Sequence, residues 1–321
     1  MKSRLLYIIA VALLLSAAIT SCEKDENQIK DMTMSLNDNY IYLQLDGFGT
    51  VTVDWGDGSP AETSTLSKDI PPVIFRHSYS DKKEHTIKIF GDGVTMLYCH
   101  SGLTSLNVSK NTALSCLRCS SNKLTSLDVS RNYALTHLEC GTNQLTNLIL
   151  GKKPVLKKLY CSSNKIENLD VSKCTALTTL DCCSNPLSSL DLKRNPALEE
   201  LWCLGNQLTR LDVSNNVELT ELYCSDNSIK SLYLSKNAAL EKLYCMHNQL
   251  TSLDMRKNTR LRYLRCEENQ LSAKALDALF STLHSKITSG KMIAVRDNPG
   301  ADTCNPSIAT EKGWIVSTSW Y

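Results

Sequence analysis

A chain of 321 residues with 35 Lys and Arg against 33 Asp and Glu has a formal charge of +2 and a pI near 7.9. It carries no basic excess to neutralise phosphates, which excludes a nucleic-acid partner, and charge nominates no other partner. The length leaves room for two domains, and low Gly and Pro with apolar residues in strict columns exclude disorder in the middle of the chain.

At the amino terminus Lys2 and Arg4 precede the apolar run Leu5 to Ile19, too short for a comfortable membrane span, so residues 1–21 read as a secretory signal. Next comes Ile19-Thr20-Ser21-Cys22, which resembles the lipobox of bacterial lipoproteins. The resemblance implies cleavage before Cys22 and diacylation of Cys22 as the new amino terminus. Glu23-Lys24-Asp25-Glu26 is similar to the acidic surface-export tag of lipoproteins from anaerobic gut Gram-negative bacteria. Residues 22–31 are then a lipidated tether, and the expected location is the cell surface of the outer membrane. Several acyl chains, at about 0.8 kcal/mol per buried methylene, would anchor the rest stably.

Between Tyr40 and Phe90 the period is that of strands. Val51, Val53 and Trp55 alternate with Thr50, Thr52 and Asp54, and Ile87 and Ile89 with Thr86 and Lys88. Gly56-Asp57-Gly58-Ser59 supplies positive-φ positions for a tight turn. Trp55-Gly56-Asp57-Gly58-Ser59 with His77-Ser78-Tyr79 resembles the PKD-type (polycystic kidney disease) β-sandwich, although the segment is short for that family. Asp54 and Asp57 find no further carboxylates at calcium-site spacing, so they read as turn residues. Because Ile87 to Phe90 runs through Gly91-Asp92-Gly93 directly into a repetitive segment that starts at Val94, residues 32–93 are expected to cover the open end of a solenoid.

From Val94 to Leu271 one phrase recurs, close to Leu-x-x-Leu-x-Cys-x-x-Asn-x-Leu-x-x-Leu-Asp-Val-Ser-x-Asn-x-Ala. Cys119, Cys140, Cys161, Cys182, Cys203, Cys224, Cys245 and Cys266 are 21 residues apart, each followed three residues later by asparagine, and Cys99 precedes Cys119 by one residue less. A fixed period of this length means a solenoid whose coils bury their apolar sides only against one another. Leu-x-Cys reads as a short strand pairing in parallel at about 4.8 Å, with leucine and cysteine inward. The asparagine bonds backbone groups left over by the turn. The second half, Leu-x-x-Leu-Asp-Val, is expected to form a second short strand. Lys152-Lys153-Pro154-Val155 and Cys174 depart from the phrase and are expected to alter an outer turn, not the core.

This phrase resembles the 21-residue class of bacterial leucine-rich repeats in which cysteine replaces a core leucine, as in internalin J and surface lipoproteins of gut bacteria. The resemblance covers residues 94–271 and implies a gently curved, right-handed solenoid used for adhesion or recognition. The fold class is then α/β solenoid, mostly β, with short parallel strands, an amino-terminal β-sandwich-like cap and a carboxy-terminal α/β cap. Parallel stacking keeps Cβ atoms near 4.8 Å, against about 3.8 Å for a disulfide, so the cysteine ladder should stay reduced. Cys116-Leu117-Arg118-Cys119 and Cys182-Cys183 invite a metal or redox reading, but each pair places one member in the core column. No metal and no cofactor are expected.

The position before the cysteine reads Tyr98, Arg118, Glu139, Tyr160, Asp181, Trp202, Tyr223, Tyr244, Arg265, and points out of the sheet. Two positions earlier stand His137, Lys158, Glu200, Glu221, Lys242 and Tyr263. Aromatic anchors bordered by charge suit recognition, so Tyr160, Trp202, Tyr223, Tyr244, Tyr263 and Arg265 are the candidate ligand-binding residues. Cross-strand stacking that only strengthens the sheet, at up to about 1 kcal/mol per pair, is the other reading. On the opposite side Asp128, Asp170, Asp191, Asp212 and Asp254 form a column, with Arg131, Lys173, Arg194 and Lys257 three residues on, expected as a solvated charged face.

After Asn269-Gln270-Leu271 the period ends, and residues 272–321 read as a carboxy-terminal cap. Ser272 caps a helix with Leu276, Leu279, Phe280 and Leu283 on one face; a strand at Met292 to Val295, a short helix at Ser307 to Lys312 and a strand at Trp314 to Val316 come after it. No Gly-x-Ser-x-Gly, His-Glu-x-x-His or phosphate loop is present, so an enzyme is not expected. The expected function is that of a monomeric lipid-anchored binding module for a protein or glycan, with an accessory role in an outer-membrane nutrient-capture complex as the alternative.

Overall fold

The computed structural model describes residues 31–286 and 290–318. The expected signal and the lipidation site at Cys22 lie outside the described residues. The amino-terminal part has six strands: β1 (Asp31–Leu36), β2 (Tyr40–Gly47), β3 (Gly49–Asp54), β4 (Glu62–Leu66), β5 (Val73–Ser78) and β6 (His85–Phe90). Two more, β7 (Val94–Cys99) and β8 (Leu103–Asn107), weave this part into the repeats. One sheet runs β4-β3-β6-β1-β8, while β5, β2 and β7 begin a sheet of thirteen strands that continues through the whole solenoid. The alternation read from sequence is met: Val51, Val53, Trp55, Ile87 and Ile89 are buried with Met32, Met34, Ile41, Leu43 and Leu45 in one apolar cluster. Gly47 and Gly93 make the close crossing of β2 and β7, where a Cβ on Gly47 would strike the Gly93 carbonyl and one on Gly93 that of Phe48.

The turn after Trp55 is held by its own carboxylates. Asp54 accepts the Gly56 N–H at 3.0 Å, and Asp57 accepts the Ser59 N–H at 3.0 Å and hydroxyl at 2.6 Å. These bonds, and one to His77 at 2.7 Å, hold the Asp57 carboxyl well below the usual range. His77 stacks on Trp55 at 4.8 Å, and the Tyr79 hydroxyl donates to the Trp55 carbonyl. The aspartates thus serve the turn.

Each coil then contributes a three-residue strand to the long sheet: β9 (Cys116–Arg118), β11 (His137–Glu139), β13 (Lys158–Tyr160), β14 (Thr179–Asp181), β15 (Glu200–Trp202), β16 (Glu221–Tyr223), β17 (Lys242–Tyr244) and β18 (Tyr263–Arg265). All pair in parallel, in register, with leucine opposite leucine, as in Leu180, Leu201, Leu222, Leu243 and Leu264. The strand is centred on this leucine; the cysteine comes just after it and donates its N–H to the next coil, as Cys203 does to the Tyr223 carbonyl at 2.8 Å. The second strand expected in every coil forms, among the described residues, as β8 in the first coil, which pairs with β1, and as β10 (Ser126–Asp128) and β12 (Asn147–Ile149), which pair with each other. Between most other coils side-chain amides make the link, the coil of Cys174 excepted, and β10 and β12 belong to the pair whose linking asparagine is replaced by Lys153.

Two asparagine columns stitch the coils. In the first, expected from sequence, Asn206 donates to the Cys182, Cys203 and Leu204 carbonyls at 3.1, 3.0 and 3.3 Å and accepts the Leu187 N–H at 3.2 Å. Asn122 and Asn269 make the same set, and Asn298 extends it into the cap. The residue before this asparagine is left-handed in coil after coil, from Ser121 at φ 57° to Glu268 at φ 51°, and only Gly205 uses glycine there. The first coil is shorter by the asparagine itself, and Gly102, at φ +71°, turns the chain in its place.

The second column goes beyond the sequence reading. Asn132, Asn195, Asn216, Asn237 and Asn258 are fully buried, and each donates to two carbonyls of the preceding coil, as Asn216 does to Leu192 and Asn195 at 3.2 and 2.8 Å. Lys153 and Cys174 stand in this column and are also fully buried, which corrects their placement on an outer turn. The Lys153 ammonium keeps one inter-coil bond, to the Ser130 carbonyl at 3.3 Å, and burial pulls its pKa down.

The thirteen described cysteines are free thiols, and Cys99, Cys119, Cys140, Cys161, Cys182, Cys203, Cys224, Cys245 and Cys266 are completely buried. The carboxy-terminal part keeps its expected order: α1 (Ala273–Thr282), capped by the Ser272 hydroxyl on the Ala275 N–H, then β19 (Met292–Ala294), α2 (Ser307–Thr310) and β20 (Ile315–Ser317). Leu276, Leu279, Phe280 and Trp314 close the last coil, and β19 and β20 prolong the sheet.

Both ladders make measurable demands on stability. Asn206→Ala strands a buried N–H and weakens three carbonyl contacts, so urea unfolding should show a loss of about 3 kcal/mol, against a few tenths for exposed Asn215→Ala. Burial pushes the Cys99, Cys140 and Cys224 thiols up to about 12, and the other ladder thiols in the same direction, from an ordinary 9.0. Unfolded thiols ionise first, so the ladder's contribution is complete below pH 9.0 and is lost as the pH rises toward 12, at up to about 1.4 kcal/mol per thiol per pH unit. The unfolding temperature should fall steeply above pH 9.0, and a thiol reagent at neutral pH should reach the ladder only after denaturation.

Candidate ligand-binding face

The parallel register places every residue before a ladder cysteine in one row. Leucine on one side of the sheet and this row on the other follow from strand alternation alone. Tyr98, Arg118, Glu139, Tyr160, Asp181, Trp202, Tyr223, Tyr244 and Arg265 occupy successive strands of the same face. The row two residues earlier, with His137, Glu221, Lys242 and Tyr263, shares it.

Four of the six candidate residues form a continuous ring surface. Tyr223 and Tyr244 stack with centroids 4.6 Å apart and planes 18° apart. Trp202 meets Tyr223 edge to face at 5.9 Å, and Tyr160 reaches across the Asp181 strand to within 6.5 Å of Trp202. All four are partly exposed. The Trp202 indole N–H is shielded from solvent and meets no hydrogen-bond acceptor. The other two stand apart from the rings: Tyr263 lies in the row of Lys242, one strand further on, and Arg265 turns to Glu267, which it meets at 2.7 Å.

Charge borders the rings on every side. Glu221 accepts from the Tyr223 hydroxyl at 3.0 Å and from the Lys242 ammonium at 2.8 Å, which raises the Lys242 pKa. Burial first, then this carboxylate, keeps the Tyr223 phenol protonated far above neutrality, and burial with Glu200, Glu139 and Asp181 shifts Tyr160 the same way. Both phenols therefore remain neutral donors at physiological pH. Toward the amino terminus Glu139 is gripped by His137 at 2.6 Å and Arg118 at 3.2 Å. Toward the carboxy terminus buried Glu267 is held by Arg265 and Arg296. Glu267 directly succeeds a cysteine, a position that the repeat phrase does not single out, and only the fold of the cap shows that Arg296 reaches it.

The opposite column is exposed, as expected of a solvated charged face, and its carboxylates also bond the backbone. Asp128, Asp170, Asp191, Asp212 and Asp254 each accept the backbone N–H two residues on, at 2.8 to 3.0 Å. Bonds from Ser172 and Ser214 depress the Asp170 and Asp212 pKa values. These carboxylates close turns, which sequence proximity alone would have disclosed.

Residues 154–194 match the family model for leucine-rich repeats in two copies. The functional domain of InlJ from Listeria monocytogenes, which includes a cysteine ladder, superposes with a TM-score of 0.60 at 37% identity over 68% of this chain. The chain spans 47% of that InlJ chain. YopM, a leucine-rich effector protein from Yersinia pestis, aligns at 27% identity and a TM-score of 0.49, over 59% of this chain and 50% of its own. Among curated proteins no sequence matches. The chain carries leucine-rich repeats stacked into a mostly β solenoid similar to the cysteine-ladder repeats of InlJ.

Proposed function

We propose that this protein is a lipid-anchored cell-surface module, not an enzyme, that binds a macromolecular partner through the outward face of its long sheet. The ring surface of Tyr160, Trp202, Tyr223 and Tyr244 carries this reading. Tyr223 and Tyr244 stack on each other, and the edges, phenols and bordering ion pairs of the surface are what a polypeptide meets at a hot spot. A protein therefore suits this part of the face better than a glycan.

The anchoring rests on sequence: the apolar run Leu5 to Ile19, Cys22 as the acylated residue and the acidic residues after it support a lipoprotein exported to the outer surface. Residues 32–93 act as a PKD-like amino-terminal cap, a reading supported by Trp55 stacked on His77 with Asp57 closing the turn, and residues 272–321 act as the opposite cap. Both ends of a stack otherwise expose apolar surface, which a monomeric module must cover.

The test is Trp202→Ala combined with Tyr223→Ala in the purified protein, measured against immobilised host epithelial surface proteins and a glycan array. Capture of a protein should weaken at least about tenfold while unfolding free energy falls by only about 1–2 kcal/mol. A larger loss of stability with capture unchanged would mean that the rings serve the sheet alone.

A further inference from the structure

The outward face does not stop at the first coil. Strands β2 and β5 continue the sheet beyond β7, and along β2 the side chains alternate: Ile41, Leu43 and Leu45 are buried, while Tyr40, Tyr42 and Gln44 face out. Over the paired strands β2 and β7 this face forms an open depression of about 660 Å³ lined by Asp38, Tyr40, Tyr42, Gln44, Tyr98 and His100.

Its floor is fixed by the solenoid. The Ser101 hydroxyl accepts the Tyr42 N–H at 2.8 Å, and the Ser101 N–H donates to Asn122, the first member of the asparagine ladder, at 3.2 Å. The Tyr42 and Tyr98 rings meet edge to face at 5.8 Å, and Tyr40 is 41% exposed. Asp38 is pinned by the Asn39 N–H on one oxygen, and its other oxygen lies 3.3 Å from where a Cβ on Gly102 would stand. The Lys123 ammonium lies 3.4 Å from the same point, so a cation stands beside the carboxylate.

The chemistry of the lining selects a ligand class. No lysine or arginine lines the site itself; Arg76 is engaged over the Tyr42 ring and Lys123 stands beside Asp38, whose carboxylate disfavours an anionic ligand. A quaternary ammonium would be drawn to tyrosine rings, but the Arg76 guanidinium already lies 5.3 Å over the Tyr42 ring and opposes a second cation. What remains is a neutral ligand with an apolar C–H face for the rings and hydroxyls for a carboxylate, an amide and an imidazole. We propose that this depression binds a neutral pyranose ring of a glycan, stacked on the tyrosines, with its hydroxyls held by Asp38, Gln44 and His100. The site is separate from the Trp202 ring surface and stands without it.

Saturation-transfer NMR and calorimetry on the purified protein, with the methyl glycosides of glucose, galactose, mannose and N-acetylglucosamine and with lactose and cellobiose, test this. At least one sugar should bind saturably, with transfer strongest to its ring C–H protons. Tyr42→Ala and Asp38→Ala should each weaken it about tenfold or more, while Tyr233→Ala, 80% exposed and outside the depression, should not. Asp38 lies in a turn outside the core, so its variant separates lost binding from lost folding, which unfolding curves of all variants check. Failure of every sugar to saturate, binding indifferent to Asp38→Ala and Tyr42→Ala, preference for phosphocholine, or loss only in the Trp202 and Tyr223 double variant would each overturn the proposal.

Discussion

A chain that coils on itself every 21 residues must turn out of each strand inside a packed stack, where water cannot reach the backbone. The rest of the structure depends on how that turn is satisfied. One asparagine per coil does it, bonding its own turn and the coil before it with a single amide, while the residue in front of it accepts a left-handed conformation. Serine, threonine, aspartate, histidine and glutamate all take that strained place, so the bonds made by the neighbouring amide outweigh a cost of about 1–2 kcal/mol per coil.

Once the turn is fixed, the other columns follow from geometry. The cysteine comes directly after the strand, where the coil is beginning to bend, and it fills the space of a small apolar side chain; burial of its thiol is tolerated because the neutral form is kept. On the far side of the coil the second asparagine column links neighbours without a continuous β-ladder. Its oxygens meet no donor, so its members are held by their two donated bonds alone. Lys153 fits the same column because a lysine likewise donates without presenting an oxygen, and where it does so the backbone strands β10 and β12 pair instead.

This division explains what residues alone disclose. Period, inward leucines, the reduced cysteine ladder, the first asparagine column and the cap helix after Ser272 are local or periodic properties, and a single sequence displays them. The second asparagine column is equally periodic, but asparagine after Ser-x looks like a surface turn residue, and nothing in its spacing separates a buried amide from a solvated one. Arg265 reads as part of a free face because the repeat phrase does not single out Glu267 two residues on, and Arg296 joins that carboxylate only when the cap adds its strand. The alternation of Tyr40, Tyr42 and Gln44 against Ile41, Leu43 and Leu45 is itself the signal of an outward ring face. Its meaning depends on β2 docking antiparallel on β7, a pairing between segments about fifty residues apart.

That docking changes what the amino-terminal part does. A cap that merely covered the first coil could pack across its end; this one adds β2 and β5 to the repeat sheet, so the face presented by the coils runs on past the first coil to β5. The first coil is the natural place for a concavity. It lacks the asparagine, its turn relies on Gly102, and the row of outward side chains is deflected there by the antiparallel neighbour. Between this end and the Trp202 rings the face is occupied by Arg118, Glu139 and His137, whose mutual bonds leave little for a ligand. One sheet therefore carries two chemically distinct surfaces on a single rigid frame, and a partner that touched both would be held in one orientation along the solenoid axis.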